Sequence, residues 1–283
     1  MTSKSSGIFG EVIALTSSGG SSTGAVSYAA TGTACEIPAS GDNAGKLVIT
    51  SGTGTCAVTA TQAGDNNYNP VSSAAQNVSV SKAPQSAALV VTTTADGGYI
   101  DTLITLGSTG GSGTGAVTYT ATGTACRMDA GKLLITSGTG TCSVTATKAA
   151  DANYTAAMSP AKTITPTAWK VGGFYSPVDM GGIYNTVKGG STVPVKFELF
   201  AGSRELTAVA DAGALTAKVV SCNSTATTDD IEVMATGATE LRYDTTGGQY
   251  IYNWKTPTGA GKCYQLTLTA RDGSTQTALF KMK

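Results

Sequence analysis

Six cysteines are the residues of this 283-residue chain whose chemistry is simplest to anticipate. Cysteine side chains can bind zinc, pair as disulfides, or remain as buried thiols. The chain contains no His and no Cys-x-x-Cys spacing, which makes zinc the weakest of these interpretations. The cysteines fall two by two along the sequence, as Cys35 with Cys56, Cys126 with Cys142, and Cys222 with Cys263.

A duplicated phrase favours one of the possible cysteine pairings. Cys35 and Cys126 both follow Gly-Thr-Ala, and Cys56 and Cys142 both end the phrase Ile-Thr-Ser-Gly-Thr-Gly-Thr-Cys. Because both copies place their cysteines alike beside strand-like segments, pairing within a copy is favoured over pairing between copies. The sequence therefore predicts three disulfides and an oxidising compartment, with free thiols in a cytosolic protein as the weaker alternative.

Other residues with catalytic potential lack the partners that catalysis needs. Without His, the chain cannot form a Ser-His-Asp or Cys-His arrangement. The segment Gly20–Gly24 matches Gly-x-Ser-x-Gly, but that motif acts only in a strand-turn-helix context with a base. The glycine-rich segment Gly110–Gly115 lacks the lysine and the following helix of a phosphate-binding loop. We therefore interpret both segments as turns and predict that the protein is not an enzyme.

Carboxylates offer one weak candidate for a metal site. No cofactor is expected, although Asp229, Asp230 and Glu232 could supply oxygen ligands to calcium. Two further acidic residues, Asp65 and Asp151, each lie three positions before a tyrosine in the repeated part of the chain. For this recurring pair an Asx-type turn that positions the tyrosine is favoured over a metal site.

Three aromatic residues near the end of the chain alternate with period two. Tyr250, Tyr252 and Trp254 could stack on a sugar, which would make them a glycan-binding face. The same spacing on a β-strand also places aromatic side chains in a core, and we favour that interpretation. Trp169, Phe174 and Tyr175 are expected to pack between neighbouring domains.

The segments that position these residues are repeated strands. The phrase that spans Gly24–Cys56 recurs at Gly115–Cys142, which marks a modular array. Val117, Tyr119 and Ala121 alternate with threonines, as in a half-buried strand, and no stretch of either copy has helical periodicity. Short β-branched strands between Gly-rich turns predict β-sandwiches. A third domain with a different pattern begins near Trp169.

Short proline-containing joints separate the three domains. Ser81–Pro84 and Thr165–Ala168 are too short for loose tethers, so a semi-rigid elongated array is expected. The predicted boundaries are residues 1–83 for repeat 1, 84–166 for repeat 2 and 167–283 for the terminal domain. In the terminal domain, the alternating stretch Ser191–Leu199 predicts one strand, and Pro194 within it places that strand at a sheet edge or a bulge.

Repeat 1 differs from repeat 2 at its start. Repeat 2 opens with the strand-like segment Ser86–Thr93, whereas only the polar stretch Met1–Gly7 precedes the matching part of repeat 1. A missing strand leaves an unpaired sheet edge. Two explanations stay open: the chain is the end of a longer array, or a strand from a neighbouring molecule or another copy fills the edge.

Charge and hydropathy argue against two classes of partner. Lys+Arg and Asp+Glu are 18 each, and charged residues make up 13% of the chain, about half the usual share. A chain without net charge has no long-range attraction to nucleic acid. No apolar run is long enough to span a bilayer, so membrane insertion is not expected. The first ten residues lack the apolar centre of a signal peptide, which leaves a trimmed chain or a non-secretory route.

The repeated phrases resemble a known family. Gly-Thr-Ala-Cys, Ile-Thr-Ser-Gly-Thr-Gly-Thr-Cys, Val-Thr-Ala-Thr and Asn-Tyr are similar to the bacterial immunoglobulin-like repeats of large secreted and surface proteins, over about residues 8–165. This resemblance implies that the two repeats are immunoglobulin-like modules. The predicted fold class is therefore all-β, with three tandem immunoglobulin-like β-sandwich modules.

The terminal domain resembles the PxKF domain, a C-terminal module of exported proteins. The resemblance is carried by Gly173–Asp179, Asn185–Thr192, Pro194–Phe197, Tyr250–Lys255 and Asp272-Gly273, in that order. The family has no known catalytic residues, so the resemblance implies none here.

These observations predict a structural protein. We expect a non-enzymatic spacer, extracellular or at a cell surface, that displays or anchors its terminal β-sandwich. Adhesion or binding of a surface glycan by the terminal domain is one alternative. A phage fibre or capsid decoration protein, located in a virion, is another.

Overall fold

Short β-strands form nearly all of the regular structure. The computed structural model describes residues 4–232, 234–235 and 239–283. Its one helical element is a single 3-10 turn, Val209–Ala212, and the described residues contain no α-helix. The predicted all-β fold class is therefore confirmed. No helix in this part of the chain could cross a membrane.

The chain divides into two compact units. Unit 1 comprises Met1–Thr92, Gly107–Thr120 and Thr145–Ala161, and unit 2 comprises Thr93–Leu106, Ala121–Val144 and Lys162–Lys283. Repeat 2 contributes residues to both units. The three predicted domain boundaries remain predictions from the sequence.

Nine strands lie in repeat 1. One sheet has the order β2-β5-β4, another has the order β3-β6-β7 with β8 also on β6, and β1 pairs in parallel with β9. The strands are β1 (Ser6–Ile8), β2 (Val12–Ile13), β3 (Val26–Gly32), β4 (Cys35–Glu36), β5 (Leu47–Ile49), β6 (Cys56–Gln62), β7 (Val71–Ser72), β8 (Gln76–Asn77) and β9 (Ser79–Ser81).

Alternation of apolar and polar residues gives repeat 1 its core. In β6 the side chains of Cys56, Val58 and Ala60 are buried while their neighbours reach the surface, because successive side chains point to opposite faces of a sheet. Leu47 and Ile49 of β5 pack against this buried face. The core therefore lies between the two sheets, as in a β-sandwich.

Ten strands lie in repeat 2. Here β10 pairs with β13, the order β12-β16-β15 forms one sheet, and β11-β19-β17-β14 forms another, with β18 on β17. The strands are β10 (Val90–Thr93), β11 (Gly97–Gly98), β12 (Leu103–Ile104), β13 (Leu106–Thr109), β14 (Val117–Gly123), β15 (Cys126–Asp129), β16 (Lys132–Ile135), β17 (Cys142–Lys148), β18 (Ala157–Met158) and β19 (Lys162–Pro166).

The described residues of the terminal domain form eleven strands in three sheets, with orders β20-β23-β24, β22-β28-β27 and β25-β29-β30-β21-β26. The strands are β20 (Lys170–Val171), β21 (Tyr184–Val187), β22 (Thr192–Phe197), β23 (Leu199–Ala201), β24 (Arg204–Leu206), β25 (Ala214–Val220), β26 (Thr228–Asp230), β27 (Leu241–Asp244), β28 (Gln249–Lys255), β29 (Cys263–Thr269) and β30 (Thr275–Met282).

The edge position predicted from Pro194 is confirmed. Pro194 lies in β22, which is at one end of the order β22-β28-β27 among the described residues. The expected single strand Ser191–Leu199 is wrong in one respect, since the chain leaves β22 after Phe197 and joins another sheet at Leu199. Both strands bury apolar side chains, so the hydrophobic pattern alone did not show the change of sheet.

Candidate functional site

The segment that resembles a nucleophile motif is a turn. Ser22 Oγ donates a hydrogen bond to the carbonyl oxygen of Ala63 at 2.6 Å and accepts one from the Gly24 amide at 2.9 Å. The hydroxyl therefore holds the backbone of the turn. The following element is strand β3, so the strand-turn-helix context of the motif does not occur here.

The three acidic residues considered for calcium do not converge. Asp230 accepts a hydrogen bond from Thr186 and forms an ion pair with Lys283. Asp229 instead lies beside Asp179, where the neighbouring carboxyl raises the pKa of Asp179. Glu232 follows β26 and is exposed. Within residues 4–232, 234–235 and 239–283, no three potential ligands form a metal-binding group.

The aromatic residues considered for glycan binding lie largely in a core. The ring of Tyr250 stacks on Phe197 with centroids 5.2 Å apart, and its hydroxyl donates to the Ala208 carbonyl at 2.9 Å. Trp254 packs edge-on against Phe280 at 4.8 Å. Tyr252 is half-buried. Two of the three rings are thus enclosed by protein, and they do not form an open stacking face.

Three disulfides join the cysteines, one in each predicted domain. The Cα–Cα distances are 5.5 Å for Cys35–Cys56, 5.6 Å for Cys126–Cys142 and 5.3 Å for Cys222–Cys263. In both repeats the bridge directly follows the loop Ser-Gly-Thr-Gly-Thr. Each of these two bridges therefore closes the chain directly after a loop that contacts another predicted domain, as follows.

In unit 2 that loop contacts Asp272, whose side chain is fully buried. The Asp272 carboxylate accepts hydrogen bonds from the Trp169 amide at 2.7 Å, the Ser274 amide at 2.9 Å and the Ser274 hydroxyl at 2.7 Å. Its carbonyl oxygen accepts from the Gly138 amide at 2.7 Å and from Ser137 Oγ at 2.7 Å. The two bonds to the carbonyl oxygen connect repeat 2 to the terminal domain, whereas the carboxylate bonds hold Asp272 in place within the terminal domain; we call these contacts together the second joint.

Arg271 adds charge to the second joint. Its guanidinium forms ion pairs with Asp101 at 2.7 Å and with Asp211 at 3.0 Å. It also lies over the Trp169 ring, 5.5 Å from the centroid. The hydrogen bond to Asp101 is the main cause that raises the pKa of Arg271, so the group stays positively charged. A cavity of about 310 Å³ opens beside it, lined by these residues and by Tyr99, Arg204 and Leu206.

In unit 1 the corresponding loop makes neutral contacts. The Gly52 amide donates to Asn153 Oδ1 at 3.2 Å, and the Ala83 amide donates to the Asn153 carbonyl at 2.8 Å. The Tyr154 ring meets Phe9 edge-on at 5.3 Å. We call these contacts the first joint. Its hydrogen bonds and ring contact between repeat 1 and repeat 2 involve neutral groups, and the Lys82 side chain lies beside Gly52.

The recurring aspartates form turns, as the sequence indicated. Asp151 Oδ1 accepts from the Asn153 and Tyr154 amides at 2.9 and 2.8 Å. These bonds and one from the Thr114 amide lower the pKa of Asp151 to about 2. Asp65 makes the same turn in repeat 1, and its pKa is also lowered to about 2, mainly by the Thr23 amide. In repeat 2 this turn presents Asn153 and Tyr154 to the first joint.

Sequence reasoning did not identify Asp272 as a joint residue. It was noted only as part of Asp272-Gly273 before the last strand. The partner amide of Trp169 is far away in the sequence, so no local pattern connects the two residues. One signal was available: Gly52 and Gly138 recur at the same place in the repeat, which indicates a close approach of another backbone.

Comparisons with known proteins define no family for this chain. No protein-family model matches it, and no curated protein matches it. Among solved structures it is similar to Drosophila N-cadherin EC1-4, with 11% identity, a TM-score of 0.24, and coverage of 98% of this chain and 71% of that chain. The resemblances to bacterial immunoglobulin-like repeats and to PxKF domains remain predictions from the sequence.

Proposed function

We propose that this chain is a non-enzymatic structural protein of the cell exterior, a spacer that holds its terminal β-sandwich at a fixed place. The second joint supports this role most directly. The Asp272 carbonyl oxygen accepts two hydrogen bonds from repeat 2, and the buried Asp272 carboxylate is fixed within the terminal domain by three donors, each of which would cost about 1–3 kcal/mol if left unpaired. A joint of this kind resists bending between repeat 2 and the terminal domain.

The disulfides support the same role. A bridge limits how far a domain can extend when it unfolds under load. The sequence separations within the bridges are 21, 16 and 41 residues. Disulfides also persist in oxidising environments, which is why we place the protein outside the cell.

Single-molecule stretching of the full chain between its two ends tests the proposal. Replacing Cys126 and Cys142 by serine should release the 16 residues between them, about 6 nm of extra length at roughly 3.5 Å per residue. Replacing Cys222 and Cys263 should release 41 residues, about 14 nm. Extension lengths that do not change in either variant would refute a load-bearing role for the bridges.

A further inference from the structure

The cavity beside the second joint contains polar groups that the joint does not use. Its volume of about 310 Å³ lies at the lower end of the range for small-molecule sites, so it suits a small ligand. The side chain of Arg204 lines it and forms no ion pair or hydrogen bond within the described residues. The hydroxyl of Tyr99, which also lines the cavity, has no hydrogen-bond partner in the described part of the chain. Both groups are therefore free to bind a ligand.

The turn that contributes Tyr99 to the cavity has a counterpart in repeat 1. The Asp101 amide donates to the Ile135 carbonyl at 2.8 Å, and the Gly10 amide donates to the Ile49 carbonyl at 2.9 Å. Both acceptors are the isoleucine of the duplicated phrase Ile-Thr-Ser-Gly-Thr-Gly-Thr-Cys. The two turns therefore have the same place in their repeats, and their residues can be compared one by one.

Repeat 2 carries polar groups in this turn where repeat 1 has none. Tyr99 corresponds to Ile8, and Asp101 corresponds to Gly10. Gly10 has a φ of 82°, and Asp101 keeps a φ of 70°, which is rare for residues other than glycine. Because a side chain is strained in this conformation, an aspartate there indicates a use for its carboxylate. Only its Oδ2 atom binds Arg271, and the side chain stays 63% exposed.

The charges around the cavity favour a neutral ligand. Two arginines and two aspartates line it, so their formal charges cancel. Because Arg271 is already paired with Asp101 and Asp211, an anionic ligand would find one free guanidinium and two negative side chains. A neutral hydroxyl both donates and accepts, so it can accept from Arg204 and donate to the second oxygen of Asp101. A ligand that carries several hydroxyls matches this arrangement.

The rest of the wall suits the C–H face of a sugar. Ile100 and Leu206 line the cavity together with two aromatic residues, Tyr99 and Trp169. The Arg271 guanidinium covers one face of the Trp169 ring, so Tyr99 is the better placed of the two for stacking. A small ring with hydroxyls on its rim and an apolar face is a pyranose.

We propose that this cavity binds one neutral sugar unit of a glycan. Arg204 and the Tyr99 hydroxyl donate to the sugar hydroxyls, Asp101 accepts from them, and the Tyr99 ring packs against the C–H face. The site is different from the strand that carries Tyr250 and Trp254, whose rings are enclosed by the core. The inference does not depend on the spacer role, because it follows from the groups that line the cavity.

Methyl glycosides of glucose, galactose, mannose and N-acetylglucosamine are suitable probes for the full chain. Saturation-transfer NMR would detect binding, and titration would give the dissociation constants. Saturable binding of at least one glycoside is expected, in the millimolar range because a single ring offers few contacts. Absence of saturable binding for the whole set would overturn the proposal.

Charged sugars test the preference for a neutral ligand. Glucuronate and glucose 6-phosphate should bind no more tightly than methyl glucoside, since Arg271 is already paired with two carboxylates. Binding of either one at least about tenfold more tightly would overturn the assignment to a neutral sugar.

Two variants locate the site. Arg204→Ala removes an exposed guanidinium that forms none of the contacts of the second joint. Asp101→Gly gives repeat 2 the residue of repeat 1 and relieves the backbone, although it also removes an ion pair with Arg271. Each should weaken sugar binding at least about tenfold, because a hydrogen bond to a charged group is lost.

Arg242→Ala is the matched control, since Arg242 is an exposed arginine of the same domain that does not line the cavity. Its affinity for the sugar should be unchanged. Unchanged affinity in Arg204→Ala, or an equal loss in Arg242→Ala, would refute the assigned site. Circular dichroism would show whether Asp101→Gly is folded, and if it is not, Arg204→Ala decides the question.

Discussion

The two joints use the same loop of the repeat with opposite chemistry. At the first joint Gly52 meets the neutral side chain of Asn153, and at the second Gly138 meets the backbone of the charged residue Asp272. In both, a Cβ on the glycine would come within 2.9 Å of the next linker's backbone, at Lys82 or Ala168. The loop is thus a general docking surface, and the residue that the next domain presents decides how firmly the joint is held.

Removing the side chain of Asp272 or of Asn153, one from each joint, gives the largest contrast. Asp272→Ala should lower the free energy of unfolding by about 4 kcal/mol, because it leaves three donors unpaired in a buried place. Asn153→Ala should cost only about 0.5 kcal/mol, since one hydrogen bond of 3.2 Å is lost. Urea unfolding followed by far-ultraviolet circular dichroism would measure both, because both tryptophans, Trp169 and Trp254, lie in the terminal domain.

Asp272→Asn is the control for the first measurement. It keeps the shape of the side chain and one acceptor oxygen, so its loss should lie between those of the wild type and Asp272→Ala. Equal losses for Asp272→Ala and Asn153→Ala would contradict the distinction between the joints.

Removing the disulfide that follows each loop should lower stability by a similar amount at both joints. The two bridges close similar lengths of chain, with separations of 21 and 16 residues. Each double Cys→Ser variant should lose about 3 kcal/mol of stability in the chain-entropy description. Guanidinium unfolding would test this. If the two stability losses differed by more than about 1 kcal/mol, part of the difference between the joints would come from the disulfides and not from Asn153 and Asp272.

Salt should weaken only the second joint. Arg271→Met removes two ion pairs that are partly exposed and should cost about 1 kcal/mol at low ionic strength. The cost should shrink in 1 M NaCl, where the screening length is about 3 Å. Tyr154→Leu removes an aromatic contact and should cost about 1 kcal/mol at either salt concentration. If the stability loss of Tyr154→Leu also depended on salt, the two joints would not differ in their response to ionic strength.

Acid should weaken the first joint because the stabilising contribution of the Asp151 turn is lost, and this is the smallest of the expected effects. The pKa of Asp151 is lowered to about 2, so its contribution is present above the ordinary value of 3.8 and is lost as the pH falls towards 2. Asp151→Asn should flatten the dependence of the unfolding midpoint between these pH values. The Asp65→Asn variant is the matched comparison, because the same turn in repeat 1 makes no joint. An unchanged pH profile for both variants would show that the turns do not contribute.

Local sequence patterns predicted much of the strand structure and burial in the two repeats. Alternation at Val117, Tyr119 and Ala121 correctly indicated which face of β14 is the less exposed one. Strand β28 of the terminal domain was less predictable, because Ile251 and Asn253 are buried as well as Tyr250 and Trp254. A strand covered on both faces loses the period-two signal.

The joints could not be derived from the sequence, for a related physical reason. The proline-containing linkers indicated that the domains are closely connected, yet the hydrogen bonds that close each joint come from distant residues. Trp169 and Asp272 meet only once the terminal domain has folded. Such pairs depend on tertiary packing, which single-sequence patterns do not report.

The docking glycine of the repeat has a consequence for how such a chain could grow. Since two of the three atoms nearest a Cβ at Gly52 or Gly138 belong to backbone, the loop at this point demands little of the side chains in the linker that follows it. A duplicated gene segment that encodes one repeat would therefore carry its own connector to the next. Length could increase by copying, with no new interface to be selected each time.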